Sequence, residues 1–135
     1  MSDETAYGAD DAAPGKVSVW LGTSHKTLEE FSRYFEGLEE LDSGSPIQLD
    51  FNCGFIDTDL FYSYGTDSGK IVSVEVLCGE LSCSNSATVN NIIKATRKMG
   101  IIDGNSLMFY GNCTFTEKNP EMLYNELRFI GTFDD

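Results

Sequence analysis

A pair of carboxylates one residue apart, Asp57 and Asp59, has the composition needed for metal binding or acid–base catalysis. The neighbouring sequence provides no third acid and none of the further oxygen ligands that a calcium loop requires. We therefore expect the pair to be solvated or to face a partner protein. The sequence predicts no metal at this position.

The remaining candidate groups do not form a catalytic or cofactor site. The single histidine, His25, follows Ser24, and adjacent residues cannot act as a Ser–His pair because their side chains diverge. We expect this histidine on a surface loop that precedes a helix. The segment Gly65-x-x-x-Gly69-Lys70 is shorter than a phosphate-binding loop and lies between two predicted strands. We therefore expect no catalytic residues and no cofactor, and a protein that is not an enzyme.

The four cysteines, Cys53, Cys78, Cys83 and Cys113, do not have the spacing of a zinc site. We expect them to be reduced and mostly buried, since a free cysteine behaves as a small apolar side chain. A disulfide between Cys78 and Cys83 remains an alternative for a protein that meets an oxidising compartment.

The charge balance limits the classes of partner. The chain has 22 acidic and 9 basic residues, which give a net charge of −13. Such a charge repels nucleic acids and anionic membranes and attracts cationic partners, although solubility alone is an alternative explanation. The sequence contains neither an apolar run long enough to span a bilayer nor the pattern of a signal peptide. We expect a cytoplasmic protein that binds neither nucleic acid nor membrane.

The hydrophobic pattern divides the chain into a flexible acidic tail over residues 1–15 and one domain over residues 16–135. Alternation in Lys16–Leu21 predicts a strand, with Trp20 on the face opposite its valines. The sequence from Thr27 to Glu30 fits a capping box and predicts a helix that extends to about residue 36. The expected core-facing side chains of this helix are Leu28, Phe31 and Phe35.

The rest of the domain mixes strands and helices in an irregular order. We predict a strand over 49–55, a hairpin formed by 61–64 and 70–77, a helix over 86–99, strands over 106–110 and 113–115, a short helix or turn over 120–126, and a closing strand over 127–133. This order favours an α+β fold over a doubly wound one. The predicted architecture is a single compact domain with a mixed, largely antiparallel β-sheet packed against two main α-helices.

Two acid-rich segments, 29–42 and 50–80, point to protein binding. The second also contains aromatic residues, and tyrosine beside carboxylates is typical of protein interfaces. The alternative is that the aromatic side chains belong to the core and that the acids are merely solvated. The candidate contact residues are Glu36, Glu39, Glu40, Asp42, Asp57, Asp59, Tyr62 and Tyr64.

Seven segments resemble those of a family of bacterial immunity proteins found beside polymorphic toxins, the immunity protein 22 family. They are VSVWLGT at 17–23, LEEFSRYFE at 28–36, SPIQLDF at 45–51, IDTDLF at 56–61, NNIIKATRKMGI at 90–101, SLMFY at 106–110 and FIGTF at 129–133. Their order and spacing, rather than any single motif, carry the resemblance, and together they span nearly the whole chain after the tail.

The resemblance implies a bacterial protein that binds a cognate toxin effector of interbacterial competition and neutralises it without catalysis. Many such toxins, including those delivered by secretion systems, are nucleases with basic active-site faces, which an acidic protein complements by charge. We expect a monomer or small homo-oligomer when the protein is free. The alternatives are an acidic mimic of nucleic acid that inhibits basic DNA-binding proteins and a small ligand-binding domain.

Overall fold

The computed structural model describes residues 7–81 and 85–135, which contain eight strands and four α-helices. The strands are β1 Gly8–Asp10, β2 Lys16–Gly22, β3 Phe61–Gly65, β4 Val72–Ser73, β5 Asp103–Gly104, β6 Ser106–Gly111, β7 Thr114–Thr116 and β8 Arg128–Asp134. The helices are α1 Leu28–Arg33, α2 Pro46–Phe51, α3 Val74–Cys78 and α4 Ser86–Lys98.

A four-stranded antiparallel sheet with the strand order β3-β6-β2-β8 forms the centre of the domain. Two small antiparallel pairs, β1–β7 and β4–β5, complete the strand pairing of the described residues. The predicted single-domain α+β class is confirmed, with α4 as the one long helix among the four described helices. None of these helices has the length and hydrophobicity needed to cross a bilayer.

Strand β2 is buried along almost its whole length, because both faces of the central sheet are covered. As predicted, its side chains divide between the two faces. Trp20 belongs to the core on one face, called here the first face. The alternating residues Val17, Val19 and Leu21 belong to the core on the other, the second face. The sheet is therefore sandwiched between two hydrophobic clusters.

The first-face core is aromatic and is covered by α1 and α2. The ring of Trp20 stacks on Phe51 of α2 with 4.7 Å between ring centroids, and it meets Phe115 edge-on at 5.0 Å. Contacts of this kind stabilise a core beyond the burial of apolar area alone. The predicted capping box of α1 is confirmed, since the side chains of Thr27 and Glu30 each accept a hydrogen bond from the backbone N–H of the other.

The second-face core is aliphatic and is covered by α3 and α4. Helix α4 confirms the predicted helix near 86–99, and the side chain of Asn85 caps its first turn by accepting from the Thr88 N–H. Ile92 and Thr96, one turn apart, are fully buried against the sheet. The basic residues Arg97 and Lys98 lie in the last turn, where they complement the helix dipole.

The predicted strand over 49–55 is wrong, because Pro46–Phe51 forms helix α2. Ser45 caps this helix by accepting a hydrogen bond from the Gln48 N–H, and Pro46 occupies the first turn, where a missing N–H costs nothing. Ile47 and Phe51, four residues apart, are both buried, whereas Leu49 is exposed. The buried residues are therefore one helical turn apart, and the alternation over 49–55 does not follow burial.

The predicted hairpin of 61–64 and 70–77 is also wrong. Strand β3 pairs with β6, β4 pairs with β5, and Val74–Cys78 forms helix α3. The Ser73 side chain accepts a hydrogen bond from the Val76 N–H and starts this helix. Val74 and Leu77 lie three residues apart and are both fully buried. These residues have a helical period, which favours α3 over the predicted strand.

Two further expectations need correction. Gly8–Asp10 forms β1, so the predicted flexible tail is wrong for these residues, whereas residues 1–6 lie outside the described ranges. Pairing with β7 and packing of Ala9 on the first-face core stabilise this strand. Leu28 is 76% exposed, and the buried position is taken by Tyr34, which is 7% exposed. Helix α1 ends at Arg33, before the predicted residue 36.

Candidate functional site

The segment Glu36–Asp42, called here the acidic loop, follows α1 and exposes its four acidic side chains to solvent. The buried amide of Gln48 holds this loop from beneath. Its Nε2 donates to the carbonyl of Glu40 at 2.8 Å and to that of Leu38 at 3.3 Å. Its Oε1 accepts from the Gly44 N–H at 3.2 Å. The loop backbone is thus tied to α2, while its carboxylates stay free to meet a partner.

The second acidic element is the turn Asp57–Asp59, called here the acidic turn. The N–H of Asp57 donates to the hydroxyl of buried Tyr110 at 2.8 Å. The carboxylate of Asp57 accepts from the Asp59 N–H at 3.0 Å, which is the geometry of an Asx turn. Asp57 therefore shapes the turn, and Asp59 presents the exposed carboxylate.

The acidic loop and the acidic turn meet near the start of β3. The Asp42 N–H donates to the carbonyl of Gly54 at 2.7 Å, three residues before the turn. On the other side of the loop, Phe35 packs on Phe61, the first residue of β3, with 5.7 Å between ring centroids. The structure therefore brings together two groups of predicted contact residues that are well separated in sequence.

The two predicted tyrosines lie on the second face, away from α1 and α2. The β3–β6 register pairs Tyr62 with Phe109 and Tyr64 with Leu107, and both partners belong to the second-face core. Tyr62 is 41% exposed, whereas Tyr64 is half-buried. Tyr64 lines a separate small cavity of about 190 Å³ beside α3. Tyr62 and Tyr64 therefore lie on the face of the sheet opposite the two helices that flank the acidic loop.

Asp59 and Tyr62 line a common groove of about 400 Å³ at one end of the sheet, called here the end groove. Its other walls come from the start of β2, the end of β6 and the segment after α3. It contains three acidic residues and one lysine, namely Asp59, Glu80, Asp135 and Lys16. The sequence analysis missed Glu80, Asp135 and Lys16 as site residues, because no local pattern relates positions so far apart in the chain.

The thiols and the histidine are placed as expected where the structure describes them. Cys78 and Cys113 are buried free thiols, and burial raises the pKa of Cys78 to about 11 and that of Cys113 to about 12. His25 is exposed on the loop before α1. Cys83, the other residue of the alternative disulfide with Cys78, lies outside the described residues. Within residues 7–81 and 85–135, no group of three His, Cys, Asp or Glu side chains is placed to hold a metal ion.

One half-buried carboxyl, that of Glu117, lies outside the predicted contact residues. The side chain of Glu117 forms a hydrogen bond with Tyr124, but burial is the larger effect and raises the pKa of this carboxyl above its usual value. Its Oε2 atom is buried and has no hydrogen-bond partner among the described residues. Asp50, by contrast, accepts from the Tyr34 hydroxyl at 2.7 Å. Neither carboxyl lies in the end groove.

A family model described as Immunity protein 22 matches residues 17–134, which include the central sheet and all four described helices. The chain belongs to the Immunity protein 22 family. The resemblance noted in the sequence is thereby confirmed, and membership implies neutralisation of a toxin by a protein of a generally non-enzymatic class. Searches of the curated proteins and of the solved structures found no match.

Membership in the Immunity protein 22 family gives the candidate surfaces a context. Immunity proteins bind cognate toxins, so exposed groups held on a fixed backbone are the natural candidates for contact. In this chain they are the acidic loop, Asp59 of the acidic turn, and the end groove. The acidic loop is supported by buried Gln48 of α2 and the acidic turn by buried Tyr110 of the sheet, which fix their shapes before a partner arrives.

Proposed function

We propose that this chain neutralises a cognate antibacterial toxin domain, a nuclease with a basic surface, by forming a tight one-to-one complex in the bacterial cytoplasm. Family membership over residues 17–134 is the observation that carries the proposal. The protein acts by binding and needs neither a metal nor a cofactor of its own. When free of toxin it is a monomer or a small homo-oligomer.

The distribution of charge supports a basic partner. The net charge of −13 steers a positively charged domain toward the protein over distances of about a Debye length, roughly 8–10 Å at physiological salt. At the surface, the acidic loop and Asp59 offer carboxylates on a backbone fixed by Gln48 and Tyr110. A fixed backbone reduces the entropy that is lost when side chains are ordered on binding.

The direct test is co-expression with the toxin domain encoded beside this gene, scored by cell survival and by co-purification. We expect survival together with a stable stoichiometric complex. Survival without a complex would contradict binding and would point to an enzyme that reverses the damage. If the cells did not survive and no complex formed, the proposal would be wrong for this toxin.

Charge-reversed variants test the acidic surface. Asp59→Lys and Glu40→Lys place ammonium groups on the acidic turn and the acidic loop, and we expect each to weaken toxin binding by about tenfold or more. Glu121→Lys is the matched control, because Glu121 is exposed in the segment between β7 and β8. Equal affinity of all three variants and the parent would show that the toxin binds elsewhere.

The acidic mimic of nucleic acid is the second candidate, and the overall charge favours it. A mimic binds several unrelated basic DNA-binding proteins, whereas an immunity protein binds its own toxin with far higher affinity. Binding measured against the cognate toxin and against two unrelated basic DNA-binding domains separates them. Comparable affinities for all three would favour the mimic.

A further inference from the structure

We propose that the end groove binds one arginine side chain of the toxin, an inference that rests on the proposed function and assigns one contact within it. The groove lies on the second face, where β2, β3 and β6 approach the end of the sheet. At about 400 Å³ it falls in the lower part of the range of small-molecule sites, roughly 300–1,000 Å³. It therefore has room for one long side chain and its hydration, and a whole domain would cover it from outside.

The floor of the groove is apolar. It is formed by Val17 of β2 and Phe109 of β6, which are 2% and 5% exposed, and Tyr62, the cross-strand partner of Phe109 on β3, also lines it. An arginine side chain presents three methylene groups that bury well on such a surface. Its planar guanidinium group also stacks on an aromatic ring, which the ammonium group of lysine does less well.

The charges around the floor complement a cation. Asp59 comes from the acidic turn, and Glu80 comes from the segment that follows α3. Neither side chain has a hydrogen-bond or ion-pair partner among the described residues. The lysine of the groove, Lys16, already pairs with Asp134, which reduces its repulsion of an incoming cation. Five N–H donors in a fixed plane allow one guanidinium to reach two carboxylates on different walls.

Hydrogen bonds between neighbouring strands hold the walls in place. The Gly111 N–H donates to the carbonyl of Leu60 at 2.9 Å, which fixes the segment beside Asp59 against the end of β6. The Asp135 N–H donates to the carbonyl of Gly15 at 2.9 Å, which fixes the chain after β8 against the start of β2. A site with fixed walls loses little entropy when it is filled, so its contribution to affinity is larger.

The first experiment needs no toxin. The ¹⁵N-labelled protein is titrated with the capped peptide Ala-Arg-Ala and with Ala-citrulline-Ala, in which an uncharged group of nearly the same shape replaces the guanidinium. We expect saturable chemical-shift changes of the Tyr62, Phe109 and Gly111 amides with the arginine peptide. The dissociation constant of the citrulline peptide should be at least tenfold higher. Equal shifts with both peptides, or shifts away from the groove, would overturn the inference.

The second experiment uses the toxin domain and calorimetry. Glu80→Gln and Asp59→Asn each remove one groove charge without changing side-chain size, and Glu121→Gln removes one charge in the segment between β7 and β8. We expect each groove variant to bind about tenfold more weakly and the double variant to bind more weakly still, with little change for Glu121→Gln. Spectra of the free variants test whether each remains folded, and Asp59→Asn alone tests the groove should Glu80→Gln not fold.

The outcomes distinguish failure of the arginine contact from failure of the proposed immunity function. Binding of both groove variants with the affinity of the parent would overturn the arginine contact and leave the immunity function intact. Absence of a complex with the parent protein would overturn both the proposed function and the contact that rests on it. Weaker binding of the groove variants alone, together with the peptide result, would support the arginine contact.

Discussion

The hydroxyl group of Tyr110 connects the buried sheet to the acidic turn, and its removal in Tyr110→Phe tests how that turn is held. The ring of Tyr110 is fully buried and packs edge-on against Phe61 at 5.8 Å, so the phenylalanine fills the same space. The one interaction known to be lost is the hydrogen bond from the Asp57 N–H, at 2.8 Å. The substitution therefore acts on the turn without opening a large cavity.

The expected cost follows from this single contact. A hydrogen bond contributes about 0.5–1.5 kcal/mol net, and an unpaired buried N–H costs about 1–3 kcal/mol. Asp57 is half-buried, so water can reach its N–H in part, and the cost lies at the lower end of this range. We expect a loss of about 1 kcal/mol in the free energy of unfolding. The same energy predicts that the Asp57 amide opens roughly fivefold more often.

Two measurements check the prediction. Urea unfolding is followed by the fluorescence of Trp20, the single tryptophan, which is fully buried. Amide hydrogen exchange reports the opening of the Asp57 N–H. The matched control is Tyr34→Phe, which removes a buried hydroxyl that donates to Asp50 at 2.7 Å in the packing of α1 on α2.

We expect the two variants to differ in where they act. Both should lose about 1 kcal/mol of unfolding free energy, because each loses one hydrogen bond of a buried tyrosine. Only Tyr110→Phe should accelerate exchange at Asp57 beyond the change in global stability. Unchanged exchange at Asp57, or the same acceleration in Tyr34→Phe, would refute the view that Tyr110 positions the acidic turn.

Three further predictions concern β1, a buried carboxyl and the thiols. A Cβ at Gly8 would lie 2.2 Å from the last carbonyl of α2, so Gly8→Ala should detach β1 and expose the amides of β7 to hydrogen exchange. Gly15 also has a positive φ but no such clash, so Gly15→Ala is the control, and equal effects of the two variants would contradict this account. Burial raises the pKa of Glu117, so the folded state holds this proton more tightly than the unfolded chain, and the group lowers stability as pH rises from about 4.5 through the raised pKa. Glu117→Gln should therefore be more stable than the parent in urea at pH 7, and the difference should disappear near pH 3.5, roughly a unit below the unfolded pKa. A difference independent of pH would refute the linkage. Because burial raises the pKa of Cys78 to about 11 and that of Cys113 to about 12, both thiols should react with Ellman's reagent only on unfolding, and rapid labelling of the native protein at either position would contradict this.

The elements predicted correctly are those whose signals are local. Strand β2 has an alternating pattern, and α4 combines an N-terminal cap with a buried stripe and basic residues in its last turn. In both cases the residues that determine the element lie within it. Helix α2 also has a local signal, because Ser45 followed by Pro46 is typical of a helix N-terminus. Its six residues are too few for the helical period to be told from an alternating strand.

The end groove could not be predicted from local patterns. Its charged residues come from the first strand of the sheet, the acidic turn, the segment after α3 and the end of the chain, and only strand pairing brings them together. The acidic loop was predicted from composition, but its support by the amide of Gln48 was not. A buried glutamine inside a short helix has no sequence signature, because its partners are backbone carbonyls of another segment.

The difference between acids that serve solubility and acids that recognise a partner should be visible in binding kinetics. Long-range steering depends on the total charge, so Glu121→Gln and Glu80→Gln should lower the association rate of a basic toxin to a similar, small extent. A direct contact is lost only after the complex has formed, so Glu80→Gln alone should also raise the dissociation rate. Stopped-flow measurements give the association rate, and surface plasmon resonance gives the dissociation rate. If both variants changed only the association rate, the acids of the end groove would act through the general field, and the net charge of −13 would suffice to explain their effect.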